Sequence, residues 1–424
     1  MTKPAALSPL DGFRYGWMGF PLAFVALPLY VVLPNHYAKA FGVPLAALGG
    51  VLLLARLLDA LMDPLLGRWS DQLFQRSPKT VLHRAAIACV LLGGGFYLLF
   101  FPMVSGPHAL LWWAAAALMV TYLAYSFLSI SHQSWGAMLG GDETYRSRVV
   151  AWREGLGLAG VVTASISPVA LGLPATTALF FIAIVVGWSY WTRAPRPPVT
   201  SAAAHSGSPA AQHSVWRPLA RRDFRALLAV FVVNGIASAI PATLILFFVQ
   251  DRLQAPPAHE PLFLGSYFVC AALAIPLWLK LVARIGLVRT WLCGMGLSIA
   301  VFVFASGLGA GDTVPFVVVC ALSGVALGTD LTIPGALLAG LIARQGDQGQ
   351  AEGAYFGWWN FVTKLNLALA AGVALPALAW WGYSPGARDA AALETLTFAY
   401  CLLPCALKAA AAALLYTLFL RRSP

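Results

Sequence analysis

The sequence predicts an all-α membrane protein: twelve transmembrane helices arranged as two six-helix halves. Three observations carry that prediction. The chain of 424 residues is 60% hydrophobic and 10% charged, with a mean hydropathy of +0.77, more apolar than a water-soluble domain of this size tolerates. Apolar runs of about 20 residues, each long enough to cross a hydrocarbon core of about 30 Å as a helix, recur along its whole length. One long stretch of Pro, Ser, Ala and basic residues, "APRPPVTSAAAHSGSPAAQHSVWRPLARRDF" (194–224), divides six such runs from six.

The spans fall near 14–34, 44–67, 82–104, 108–132, 150–172 and 175–193, then 224–249, 261–283, 288–309, 314–342, 353–380 and 395–420. Residues 1–193 form the first half, 194–223 the linker and 224–424 the second half. The first span has polar flanks and no small-residue cleavage site after it, so it reads as a true span and not as a removable signal peptide.

Basic residues sort between alternate loops. Arg68, Arg76, Lys79 and Arg84 follow span two; Arg146, Arg148 and Arg153 follow span four; Arg193, Arg196, Arg217, Arg221, Arg222 and Arg225 follow span six. The opposite side carries little beyond Lys39, Arg252 and Arg388. Under the positive-inside rule the loops after even-numbered spans are cytoplasmic, and so are both termini. The net charge of +11 then follows from topology and from attraction to anionic lipid headgroups. No basic patch interleaved with aromatics points to nucleic acid. The six Cys and seven His show no CxxC or HExxH spacing, and no P-loop or GxSxG elbow occurs, so the chain is not expected to be an enzyme.

Weak repeats connect the halves. "DPLLGRWSD" (63–71) ends span two and "IPLWLKLVAR" (275–284) ends span eight, about 212 residues later. "GDETYRSRVVAWREG" (141–155) enters span five and "GDQGQAEGAYFGWWNFVTK" (346–364) enters span eleven, about 205 later. Two parallel six-helix halves around a central linker resemble the major facilitator fold, whose substrate site lies near the midplane between them.

Span two, "LLLARLLDALMDPLLGRWSDQ", buries Arg56, Asp59 and Asp63 in Leu, Ala and Met. Their i, i+3, i+7 spacing puts them on one helix face. A charge at membrane depth costs about 2.5 kcal/mol or more, so it faces a bundle interior or a wet cavity and is functional by default; the bland reading is ionic glue between helices. Two carboxylates facing one arginine leave a surplus negative charge for a cation or proton. In span eleven Lys364 stands about twelve residues into the helix, after Trp358, Trp359 and Asn360, with Asn360 one turn before it. Lys364 either meets substrate or the aspartates, or snorkels.

"ARLLDALMDPLLGRWSDQ" resembles the span-two signature of the glycoside-pentoside-hexuronide:cation symporters, the melibiose-carrier relatives of the major facilitator superfamily. The likeness continues in "NGIASAIPATLILFFVQDRL" (234–253), "YFVCAALAIPLW" (267–278) and "GAYFGWWNFVTKLNLALAAGVALPALAWWGYSPG" (353–386). The resemblance implies that Asp59 and Asp63 help bind the coupling cation and that Lys364 serves the substrate and cation region. The chain also departs from that pattern. Met62 stands where Asn is common, Pro21, Leu22 and Ala23 in span one and Ser129 to Ser131 in span four replace acids, and Ala339–Gly340 replaces Ala-Asp. Na⁺ needs several oxygens, by analogy with other hard cations, whereas a proton needs one carboxylate, so H⁺ is favoured over Na⁺ as coupling ion.

The remaining candidates are graded by position. His132 and Gln133 in span four are the nearest polar replacements, either for substrate or proton or as a bonded helix-end pair. Trp359, Asn360 and Arg153 are placed towards substrate, and Arg153 equally suits a positive-inside anchor. Asp330 in span ten is expected to pair with Lys364 or help proton transfer. Gly67 and Asp71 resemble a shortened superfamily loop motif that shuts an inward gate, Asp71 either capping a neighbouring helix or pairing with Arg146 or Arg148. The expectation is a monomeric secondary transporter in a bacterial inner membrane that couples H⁺ or Na⁺ to a sugar, uronate or related organic solute. It needs no other cofactor or metal, no nucleic acid and no partner beyond substrate and membrane lipid. A lysolipid or amphiphile carrier of the same fold is the alternative, and a membrane-embedded sensor or enzyme is the remote one.

Overall fold

A computed structural model of the chain describes residues 7–198 and 214–421. Most of the linker expected at 194–223 therefore lies outside the described residues. Among the described residues, ten helices are long and apolar enough to cross a membrane: α1 (Pro9–Phe41), α3 (Pro78–Phe100), α4 (Pro107–Met138), α5 (Glu143–Ala170), α6 (Gly172–Thr192), α7 (Arg222–Arg252), α8 (Pro257–Ile285), α9 (Leu287–Ala305), α10 (Thr313–Arg344) and α12 (Ala390–Leu420). Two more, α2 (Leu45–Arg76) and α11 (Glu352–Trp380), occupy the charged spans two and eleven. Several helices run past their apolar runs; α2 continues nine residues beyond the expected 67 to Arg76.

Local chemistry sets the boundaries. Ser77 caps α3 by accepting from the Thr80 N–H, with Pro78 in the first turn, and Asp142 caps α5 by accepting from the Tyr145 N–H. Inside α1, Pro28 opens a π-helical turn over Pro28–Val32, and α7 carries another over Phe248–Arg252. Pro28 has no N–H to give to the preceding turn, so the α1 ladder is interrupted where its wider turn begins.

The chain forms two compact units. The first contains residues up to Ala220 together with Ala339–Phe361; the second contains Arg221–Leu338 and Val362–Pro424. In the first unit α1 lies so close to α5 that a Cβ on Gly16 would stand 2.6 Å from the Trp152 carbonyl oxygen, and one on Gly160 2.3 Å from that of Phe20. Small residues are how membrane helices reach such van der Waals contact without a hydrophobic driving force. The start of α11, which belongs to this unit, meets α2 in the same way. A Cβ on Gly67 would be 2.0 Å from the Gly353 carbonyl oxygen, and one on Gly357 would be 2.6 Å from that of Asp63.

The exposed face of α2 carries Leu53, Leu54, Leu57, Leu58, Leu61 and Leu65, and the buried face carries Ala55, Asp59, Ala60, Asp63, Ser70 and Asp71. One helix thus shows lipid a leucine surface and the bundle a polar stripe. Backbone stands opposite Gly67, so a side chain there has nowhere to shift; Gly67→Val is expected to cost about 1–3 kcal/mol, read as a lower melting temperature of the purified protein in detergent.

Candidate functional site

The stripe on α2 is built from charges that cannot stay bare. Asp59 is 2% exposed and Asp63 fully buried. The Ser126 hydroxyl of α4 donates to Asp59 Oδ1 at 2.7 Å, a charge-assisted bond of about 1.5–3 kcal/mol. The Arg56 guanidinium carbon lies 4.4 Å from the centroid of the Tyr30 ring of α1, close enough for a cation–π attraction. Tyr122 and Tyr125, within one turn of Ser126 on α4, stand within electrostatic reach of Asp59. The first unit thus surrounds the expected coupling residues with hydroxyl and ring groups from two neighbouring helices. Sequence reading passed over Ser126 because a serine in a Ser-rich span announces nothing until the carboxylate opposite it is known.

A second polar cluster joins α4 to α11. The Gln133 and Asn360 side-chain amides face each other at 3.4 Å in both directions, and Gln133 also donates to Ser129 Oγ at 2.9 Å. Trp359 beside it is buried. Lys364 lies one turn beyond Asn360 on α11, half-buried and within the second unit.

One of the expected contacts is corrected, and for two other residues the geometry decides between the alternatives. Asp330 pairs with Lys408 of α12 and not with Lys364: Lys408 Nζ lies 2.8 Å from Asp330 Oδ2. Among the described residues Asp71 makes no ion pair with an arginine. It accepts from the Gly353 and Ala354 N–H groups at 2.6 and 2.8 Å, capping α11, while Arg146 donates to the Gly141 carbonyl oxygen at 2.6 Å and lies against Gly340. A helix start offers two orphan donors at once, and an arginine is needed elsewhere. Among the alternatives for His132, the geometry shows a bonded ring. Its Nε2 lies 2.8 Å from the Tyr15 carbonyl oxygen, the Tyr15 hydroxyl donates back to the His132 carbonyl oxygen at 2.9 Å, and the two rings stack at 4.3 Å. Arg153 is ion-paired to its neighbour Glu154.

Around the Asp71 cap lies a set of groups the sequence did not single out. Arg217 Nη2 meets Asp347 Oδ1 at 2.5 Å, the Tyr355 hydroxyl lies 2.7 Å from Asp347 Oδ2, and Glu352 Oε1 accepts from the Gly349 N–H at 2.6 Å. Asp71, Arg217, Asp347 and Glu352 lie outside the apolar runs 44–67 and 353–380. Burial pushes the Glu352 carboxyl up to about 7, with the Gly349 N–H opposing and the charge of Asp347 adding. Burial, and then the charge of Glu352, also holds Asp71 above the ordinary carboxylate range, against the two N–H groups it caps and Arg217.

The family described as MFS/sugar transport protein matches residues 12–422. The chain belongs to it. This transporter is accordingly a membrane protein of the major facilitator fold and not an enzyme. It is 24% identical over 409 residues to the uncharacterized symporter YjmB of Bacillus subtilis, covering 91% of this chain and 86% of that one. Over 294 residues it is 24% identical to the inner membrane symporter YicJ of Escherichia coli, covering 63% and 60%. Among solved structures it resembles an outward-facing bacterial homologue of the iron transporter ferroportin (TM-score 0.68, 16% identity, 97% and 99% covered). It also resembles the E. coli fucose:proton symporter (TM-score 0.66, 14% identity, 94% and 98% covered). These structural likenesses establish the fold.

An acid with a raised pKa favours the arrangement that holds its proton. The contribution of Glu352 to the packed start of α11 is therefore complete below the ordinary carboxylate value of about 4.3 and is lost as pH rises through about 7. Amide exchange across 347–357, corrected for intrinsic rates, is expected to speed up a few fold between about pH 6 and pH 8, and to stay level in Glu352→Gln.

Proposed function

We propose that this transporter is a symporter that moves a small polar organic solute, a sugar, uronate or related acid, with a proton taken up by the Asp59 and Asp63 pair. The observation that carries the reading is the pair itself: two carboxylates buried on one face of α2, one of them held by Ser126, with Arg56 a turn away. Buried carboxylates at membrane depth are proton or ion carriers more often than ornaments. The symporter relatives support cation coupling, and the E. coli fucose:proton symporter provides a precedent for proton coupling in this fold. The acids absent from spans one and four favour H⁺ over Na⁺, because a proton asks for one basic oxygen and not a shell of them.

In this reading Lys364 and Asn360 face the solute, with Trp359 beside them, and Gly67, Asp71 and the start of α11 form the gate on the cytoplasmic side. Both termini are cytoplasmic, and the membrane is a bacterial inner membrane. Transport in this reading proceeds by alternating access, as it does in this fold class. Arg153, tied to Glu154, and His132, tied to Tyr15, serve as framework. The amphiphile carrier remains the second reading, and the apolar wall of the cavity described below favours it for uncharged amphiphiles.

Proteoliposomes presented with sugars, uronates, other organic acids and lysolipids, with and without Na⁺, separate the readings. Wild-type protein is expected to show a solute-dependent pH change that needs no Na⁺ and is lost in Asp59→Asn/Asp63→Asn. Ser126→Ala is expected to keep transport and to shift its pH dependence, since one hydrogen bond of about 1.5–3 kcal/mol to the charged form is removed. Uptake that requires Na⁺, or survives loss of both carboxylates, overturns the assignment; transport of lysolipid alone selects the amphiphile carrier.

A further inference from the structure

The second unit contains a cavity of about 240 Å³ among α7, α8, α9, α10 and α12. All of its lining residues belong to this unit. A cavity of about 150 Å³ holds a benzene molecule, so there is room for a substituted ring. Leu264, Phe268, Ile299, Phe302, Val319 and Tyr400 make most of the wall apolar. One end is polar, and there Lys408 meets Asp330.

That end is charge-balanced before any ligand arrives. Asp330 Oδ1 receives the Trp291 indole N–H at 2.8 Å and the Asn234 amide at 3.1 Å; Oδ2 receives Lys408 at 2.8 Å and lies 3.4 Å from Ser238 Oγ. Four donors on two oxygens saturate the carboxylate. Lys408 reaches Ser238 Oγ at 2.9 Å as well. An ammonium has three N–H donors; two have partners among the described residues, and the third belongs to a group that lines the cavity. The Ser323 hydroxyl in the wall is buried and has no hydrogen-bond partner among the described residues.

We propose that this cavity is a binding site for an uncharged amphipathic molecule, an apolar ring or short chain bearing one hydroxyl, ether or carbonyl oxygen that accepts from Lys408. The apolar wall supplies affinity, as in most small-molecule sites, and the single donor fixes orientation. Charge selects against anions and cations alike. The Asp330–Lys408 pair is neutral as a unit, so a carboxylate or an ammonium on the ligand would remain uncompensated in a low-dielectric pocket. The site is separate from the carboxylates of α2 and does not depend on their role.

Cys405 lines the cavity with its thiol 3.6 Å from the Ile299 carbonyl oxygen, and it provides the readout. Wild-type protein in nanodiscs is treated with methyl methanethiosulfonate, and modification of Cys405 is followed by peptide mass spectrometry. The probes are 2-phenylethanol, its charged analogue phenylacetate, and ethylbenzene, which lacks the acceptor. 2-Phenylethanol is expected to slow modification saturably, at about tenfold lower concentration than either of the others, a difference of about 1.4 kcal/mol. Protection is expected to disappear in Ser323→Leu, which fills the cavity and leaves the ion pair in place, and to persist in Asp59→Asn. Protection by no probe overturns the site. Equal or better protection by phenylacetate at neutral pH overturns the uncharged class, and equal protection by ethylbenzene overturns the role of Lys408. Loss of protection in Asp59→Asn overturns the separation from the coupling residues.

Discussion

A carboxylate held at membrane depth must find donors, because neither lipid nor aliphatic side chains can solvate it. Much of the interior of this transporter is arranged around that requirement. In the first unit Asp59 draws a hydroxyl from α4. In the second unit Asp330 draws an indole from α9, an amide and a hydroxyl from α7 and an ammonium from α12. The two solutions differ in kind. Asp330 is saturated by four groups that lock four helices together, and such a network specifies one arrangement. Asp59 and Asp63 lie one turn apart on a single helix, where their charges work against each other unless a counter-ion or proton intervenes.

Glycine does for the backbone what these donors do for charge. Where α2 crosses α11, the absence of Cβ atoms at Gly67, Gly353 and Gly357 brings the two chains into backbone contact. Carbonyl oxygens and Asp71 share that seam, so packing and capping are settled in the same few residues. The same economy joins α1 to α5 through Gly12, Gly16, Gly19 and Gly160. Packing energy inside a bilayer comes from such close approach, since hydrophobic burial is already satisfied by lipid.

How much of this was legible in the sequence depends on the range of the signal. Span positions were legible because twenty apolar residues in a row have few other uses, and the α2 stripe was legible because helical spacing is local. Pairings across helices were not. Asp330 and Lys408 are 78 residues apart, and Lys408 sits in an alanine-rich run with no motif to mark it, although a lone cation in mid-span was a signal in its own right. Asp71 was flagged as either a cap or an arginine partner, and only the position of Gly353 and Ala354 decides between them. The ring of His132 belongs to Tyr15 through two hydrogen bonds spanning 117 residues, a relation no spacing rule contains. The linker divides the chain but not the packing: 339–361 follows it in sequence and belongs to the first unit.

The cap on α11 has a further consequence. The residue before its first turn is Ala351, which has no side chain able to cap a helix, and the missing acceptor is borrowed from a helix about 280 positions earlier in the chain. The length of α11 is therefore not a property of its own sequence. Whenever Asp71 withdraws, the N–H groups of Gly353 and Ala354 lose their acceptor, and a first turn containing glycine has little propensity to hold its shape alone. Loss of the Asp71 contact and loosening of that turn are then coupled, and the order of a few backbone amides becomes a gauge of whether α2 and the start of α11 are still in contact.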